Sequence, residues 1–250
     1  MSAWDRPTPA TQGQISAVDQ GLRSYLLKIY NYMASALLLT GVVAYFIAQA
    51  SVVGGVDGGP IELTSLGESI FLSPLKYVIM LAPLGMVIAI SAGVNRMQTS
   101  TLQLCFWAFS ALMGLSLASI LLMYTGESVA RTFFVTAAMF GGMSMIGYTT
   151  KRDLTGMGHF MMMGVWGLVV ASLVNLFLNS SGLSFAISII GVVVFTGLIA
   201  YDTQKLKSIY YQVGNNADSL ARASIMGALS LYLDFINLFI SLLRLMGDRR

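Results

Sequence analysis

The sequence predicts an all-α polytopic membrane protein with seven transmembrane helices, and three observations carry that prediction. First, 56% of the 250 residues are hydrophobic and only 10% are charged, with a mean hydropathy of +0.75. Soluble domains carry about 25% charged residues, so the solvent here is lipid. Second, seven apolar segments, at roughly 31–50, 77–95, 101–124, 131–149, 159–178, 184–204 and 223–243, each approach the ~20 residues a helix needs to cross a bilayer. Third, the last segment, Ala223 to Leu243, holds a single formal charge, Asp234, near its middle. A carboxylate there costs about 2.5–3.5 kcal/mol on insertion scales and calls for a partner and a task.

The same composition excludes several function classes. The net charge of +3 comes from basic residues scattered at segment ends, which is no nucleic-acid footprint. One cysteine, Cys105, rules out an intrachain disulfide and lies in an apolar run as a buried, inert thiol. The single histidine has no G-x-S-x-G partner, and no phosphate-binding or dinucleotide fingerprint is present. The chain therefore reads as a non-enzyme without a bound cofactor.

Along the chain, residues 1–20 contain Pro7, Pro9 and Gly13 among small polar residues and read as a disordered cytoplasmic tail. They lack an apolar core segment, so no cleaved signal peptide is expected and the first span acts as the insertion signal. The seven-helix domain covers 21–250. It opens on an amphipathic lead-in, Leu22 to Tyr32, with Arg23 and Lys28. The 51–75 connection, rich in glycine and ending at Pro74, reads as a loop. No internal repeat is visible, so an inverted-repeat transporter gains no support.

Loop charges set orientation. The 51–75 loop holds Asp57, Glu62 and Glu68 and no base, and faces outward. Arg96, then Lys151 and Arg152, then Lys205, Lys207 and Arg222 mark inner turns, which puts the N-terminus in the cytoplasm. Seven full crossings leave Arg244, Arg249 and Arg250 outside, against the charge rule. The final run is long enough to cross, and seven spans are favoured over a re-entrant last segment.

Of the eleven acidic residues, nine fall in tails, loops or interfaces; only Asp202, in LIAYDTQKLK, and Asp234 lie in apolar helices. Two carboxylates in contact at low dielectric cannot both ionise cheaply and would share a proton. Losing it would drive the pair apart and free hard oxygen ligands suited to a transient Ca²⁺ ion. Depth opposes the pairing, because Asp202 lies three residues before Lys205 while Asp234 lies twelve residues past Arg222. The two meet only if the sixth helix continues beyond Lys205 or the seventh begins well after Arg222. Otherwise each acid separately bonds a nearby hydroxyl or base. Arg96 ends the second span on the side of Asp202, either as an inner-end latch on a carboxylate or as an ordinary anchor. His159 sits among Met157, Met161, Met162 and Met163, a grouping that reads as structural more than soft-metal. Asn175 is a mid-span polar residue suited to bonding a neighbouring helix.

The closing run Ser230 to Gly247, SLYLDFINLFISLLRLMG, resembles the C-terminal signature of the Bax inhibitor-1 family, also called the transmembrane Bax inhibitor motif family. LIAYDTQKLK resembles the segment preceding it, and GLRSYLLKIYNYMASALLLTGVVAYF is similar to the early stretch of bacterial members. The resemblance implies seven helices, the last central and wrapped by the other six. It implies a pH-dependent Ca²⁺ leak with a di-aspartyl sensor matching Asp202 and Asp234, and a latch matching Arg96. The flanks of VNRMQ lack the basic cluster of some members, and the Ser208–Ala221 loop is longer than in the shortest relatives. The expected function is a pH-sensitive calcium leak channel of the inner (plasma) membrane, with lipid, Ca²⁺ and H⁺ as partners. The alternatives are an interaction protein modulating a membrane protease or stress complex, or a proton-coupled cation exchanger. A monomer is plausible.

Overall fold

The structure, a computed structural model, describes residues 9–53, 62–214 and 216–249. Among these residues eight helices follow one another: α1 (Pro9–Ala50), α2 (Ser65–Phe71), α3 (Leu75–Gly93), α4 (Thr99–Met123), α5 (Gly126–Thr149), α6 (Thr155–Leu178), α7 (Ser181–Val213) and α8 (Ala217–Met246). All but α2 are long and apolar enough to cross a membrane, which makes the chain an all-α polytopic membrane protein.

Local chemistry sets the ends of these helices. Thr125, Ser180 and Asn216 precede α5, α7 and α8, and each accepts a hydrogen bond from a backbone amide of the first turn. Asn179 closes α6 in the left-handed region at φ 48°. Pro9 stands at the first position of α1, where its missing N–H costs nothing. Of the tail read over 1–20, residues 1–8 lie outside the described part, and 9–20 are helical and continuous with the first span.

The 51–75 connection is more ordered than its composition suggests. A two-stranded antiparallel pair, β1 (Val52–Val53) and β2 (Glu62–Leu63), brackets residues 54–61, which lie outside the described part. Helix α2 then starts on a Thr64 cap whose hydroxyl accepts from the Gly67 amide at 3.0 Å.

Helix α8 is the most buried span. It packs against α7, α1, α5 and α4, whereas α3 and α6 pack principally on α4 and α7. The enclosure expected from six helices is thus made chiefly by four, with α3 and α6 on the outside. The reason is legible in α6, whose Phe160, Met163, Trp166 and Phe177 all point outward into the lipid solvent. The centre is aromatic: Tyr232 meets Phe106 and Phe109 edge-on, and Phe235 meets Phe133 and Phe140 the same way.

The turns α3–α4, α5–α6 and α7–α8 share one end of the bundle with Arg23, Arg96, Lys151, Arg152, Lys205 and Arg222; we call this the basic end. The C-terminus lies at the opposite end, beside the α4–α5 turn. There Asp248 accepts from Ser128 Oγ (3.0 Å) and pairs with Arg131 (3.1 Å). Helix α8 therefore makes a full crossing and does not re-enter.

Candidate functional site

Asp234 is the one formally charged residue that is buried among the described residues, at 6% exposure. Its Oδ2 has no hydrogen-bond partner. Asp202 is half-buried on the facing helix α7. Asp202 and Lys205 are the charged groups close enough to act on Asp234 electrostatically.

The register of the α7–α8 hairpin brings these acids together. Gly191 lies against Ser241, and Gly227 against Leu206. Residues whose numbers add to about 432 are therefore level, which puts Asp234 one helical turn, roughly 6 Å along the axis, from Asp202. The depth objection raised by the sequence disappears because α7 continues past Lys205 to Val213. Only residues 214–216 separate the two helices, so helix fills most of the segment read as a long loop. Gly214, at φ +62°, makes the reversal possible.

Arg96 is exposed in the α3–α4 turn and, among the described residues, takes part in no ion pair. The guanidinium that pins this corner belongs to Arg222, on α8. It donates to the Val94 carbonyl at the end of α3 (3.0 Å) and to Asp218 (3.2 Å), which in turn accepts from Thr99 Oγ1 at the start of α4 (2.6 Å). In the sequence Arg222 marks an inner turn and Asp218 is one of the acids outside the apolar helices. Their spacing of four on a helix is the signal for an ion pair, but nothing in it points to Val94 or Thr99.

His159 is exposed, as are Met162 and Met163, while Met161 packs on Gly197. Asn175 bonds locally, to Ser184 and the Ser180 amide, across the α6–α7 turn. Cys105 is half-buried. Beyond the acids, buried hydroxyls recur every fourth residue along α5, at Ser128, Thr132 and Thr136, and again at Ser144, a pattern missed in the sequence reading.

A seven-span bundle with one carboxyl in its interior and a second one turn away on the neighbouring helix defines a multi-pass membrane protein with an intramembrane ionisable site. The chain belongs to the Bax inhibitor-1 family: the family described as "Inhibitor of apoptosis-promoting Bax1" matches residues 22–250. Among its relatives, an uncharacterised protein of Rickettsia prowazekii is 50% identical over 243 residues, covering 97% of each chain. An uncharacterised protein of Caulobacter vibrioides is 46% identical, over 98% of this chain and 96% of its own. The inner membrane protein YbhL of Escherichia coli K12 is 46% identical over 92% of this chain and 94% of its own.

Proposed function

We propose that the chain is a pH-sensitive calcium leak channel of the inner membrane, with the basic end in the cytoplasm. The observation that carries this reading is Asp234: buried, with an unpaired carboxyl oxygen, beside a second carboxyl on α7. In the closed state the two acids hold one proton between them. As pH rises the proton leaves, the like charges repel, and α7 and α8 separate. The carboxylate oxygens, with water and backbone carbonyls, then supply the hard ligands Ca²⁺ prefers. Arg222, bridging α8 to the α3–α4 corner, holds the basic end shut until that movement. The membrane assignment follows the relative named as an inner membrane protein.

The test is Ca²⁺ flux into dye-loaded liposomes between about pH 6 and pH 8, an assay range on either side of neutrality. Flux should rise with pH in the wild type and lose that dependence in both Asp202→Asn and Asp234→Asn. Unchanged pH dependence in the two variants removes the sensor. Saturable, proton-linked antiport in place of passive flux reassigns the same acids to an exchanger.

A further inference from the structure

Asp234 is sealed by packing, with Asp202 half-buried beside it, and a proton must still reach its carboxyl. Helices α1 and α5 both pack on α8 but scarcely on each other. The gap between them at the basic end is a crevice of about 450 Å³, with Arg23 and Tyr30 on one wall and Ser144 and Tyr148 on the other. Gly141 faces that opening, where a Cβ would meet nothing within 4 Å. Phe140 closes it toward the bilayer centre, edge-on to both Tyr30 and Phe235. Beyond Phe140 lies a larger apolar cavity of about 1150 Å³. A chain of hydroxyls leads from the crevice toward α7. Tyr30 Oη bonds Ser144 Oγ, and Ser144 Oγ bonds Thr203 Oγ1 at 3.1 Å. Thr203 is the neighbour of Asp202 on α7.

We propose that Tyr30, Ser144 and Thr203 form the proton relay between the crevice at the basic end and the Asp202–Asp234 pair. This rests on the proposed sensor reading and adds the route by which the sensor equilibrates. Bond directions favour it. Thr203 Oγ1 donates to the Ile199 carbonyl at 2.8 Å, so it accepts from Ser144, which must in turn accept from Tyr30. Every hydroxyl proton points away from the crevice. A proton arriving at Tyr30 Oη displaces the tyrosine proton to Ser144 and the serine proton to Thr203; the Thr203 hydroxyl then turns off the Ile199 carbonyl and releases its own proton to the carboxylate of Asp202, the preceding residue on α7. Each hydroxyl ends neutral, one carboxyl is protonated, and rotation of the three hydroxyls resets the chain.

The other ionisable groups around the pair lie at the surface, at the crevice mouth or in bonds of their own. Lys205 on α7 acts on both acids from the exposed surface. On α1, Arg23 and Tyr30 line the crevice mouth, and on α5 Tyr148 does so. Tyr232 of α8 is committed to Thr40 at 2.7 Å. His159 of α6 is exposed, and α4 carries no acid, lysine, arginine or histidine.

The test is hydrogen–deuterium exchange of the protonated carboxyl, followed by its infrared band in reconstituted full-length protein and assigned by its loss in Asp234→Asn. Ser144→Ala and Tyr30→Phe should each slow exchange about tenfold or more, short of the roughly 10²–10⁴-fold typical of a positioned proton-transfer group. Ser144→Thr, which keeps the hydroxyl, should restore the rate, and the equilibrium pH titration should stay unchanged in all three. The variants sit on different helices, so a folding defect in one leaves the other decisive. Wild-type exchange rates in both Ser144→Ala and Tyr30→Phe overturn the relay and leave the sensor standing. Absence of an Asp234-dependent carboxyl band in the wild type overturns both. A wild type that exchanges but passes no Ca²⁺ overturns the channel and leaves the relay intact.

Discussion

At the scale of single residues, burial separates acids with different tasks. Asp234 lies in the protein interior with an oxygen unpaired, a position that packing alone would fill better with leucine. Asp153, in the α5–α6 turn, is fully exposed and does ordinary structural work. Thr155 donates to it from its hydroxyl (2.6 Å) and from its backbone amide (2.9 Å), and these bonds hold the carboxyl below its usual value. The sign follows: a depressed carboxyl stabilises the fold at every pH above its ordinary value of about 3.9 and loses that contribution as pH falls through its lowered folded value. Protection of the Thr155 amide, its exchange taken relative to the intrinsic rate at each pH, should therefore hold at neutral pH and fall only below about pH 4. Asp153→Asn should abolish that acid-induced loss of protection.

Helix pairs are held by close approach. Gly147 of α5 is a case against backbone, since a Cβ there would sit 2.2 Å from the Ala200 carbonyl oxygen of α7. Backbone cannot swing aside as a side chain can. Gly147→Ala should cost about 1–3 kcal/mol or more in an unfolding titration. Gly141→Ala, six residues earlier, meets no atom within 4 Å and should be neutral or stabilising by up to about 1 kcal/mol through helix propensity. Equal effects from the two would show that the α5–α7 contact does not set the helix separation.

For the whole molecule, each end of α8 is tied by polar contacts to another pair of helices. At the basic end, Arg222→Ala removes a charged hydrogen bond to Val94 and an exposed pair with Asp218. The loss should be about 1–2 kcal/mol, with faster proteolysis at the α3–α4 turn. Arg96→Ala should stay within about 0.5 kcal/mol of wild type. At the other end, Asp248, Ser128 and Arg131 fasten the C-terminus to the α4–α5 turn, and the Thr125 amide donates to the Asp248 carbonyl at 3.0 Å. A C-terminal tag should be reachable only from the membrane face opposite the Lys151–Arg152 turn. Labelling from the same face as that turn would mean that α8 does not cross.

The amino-acid sequence alone determined the seven spans, their order and the two acids that stand apart from the rest, because hydropathy and intramembrane charge are properties of residues read one at a time. It also contained the family motif around Asp202 and Asp234. The tertiary structure decided what depends on who lies next to whom. The hairpin register brought the acids within one turn, which helix boundaries drawn at the lysines had obscured: Lys207 reaches sideways to the Tyr148 carbonyl at 3.3 Å and lets α7 run on. Packing gave the α3–α4 corner to Arg222 and left Arg96 in solvent, and it lined up Tyr30, Ser144 and Thr203 from three helices. Hydrogen bonds between residues more than fifty positions apart leave no periodic trace in a chain, so only the folded arrangement could reveal them.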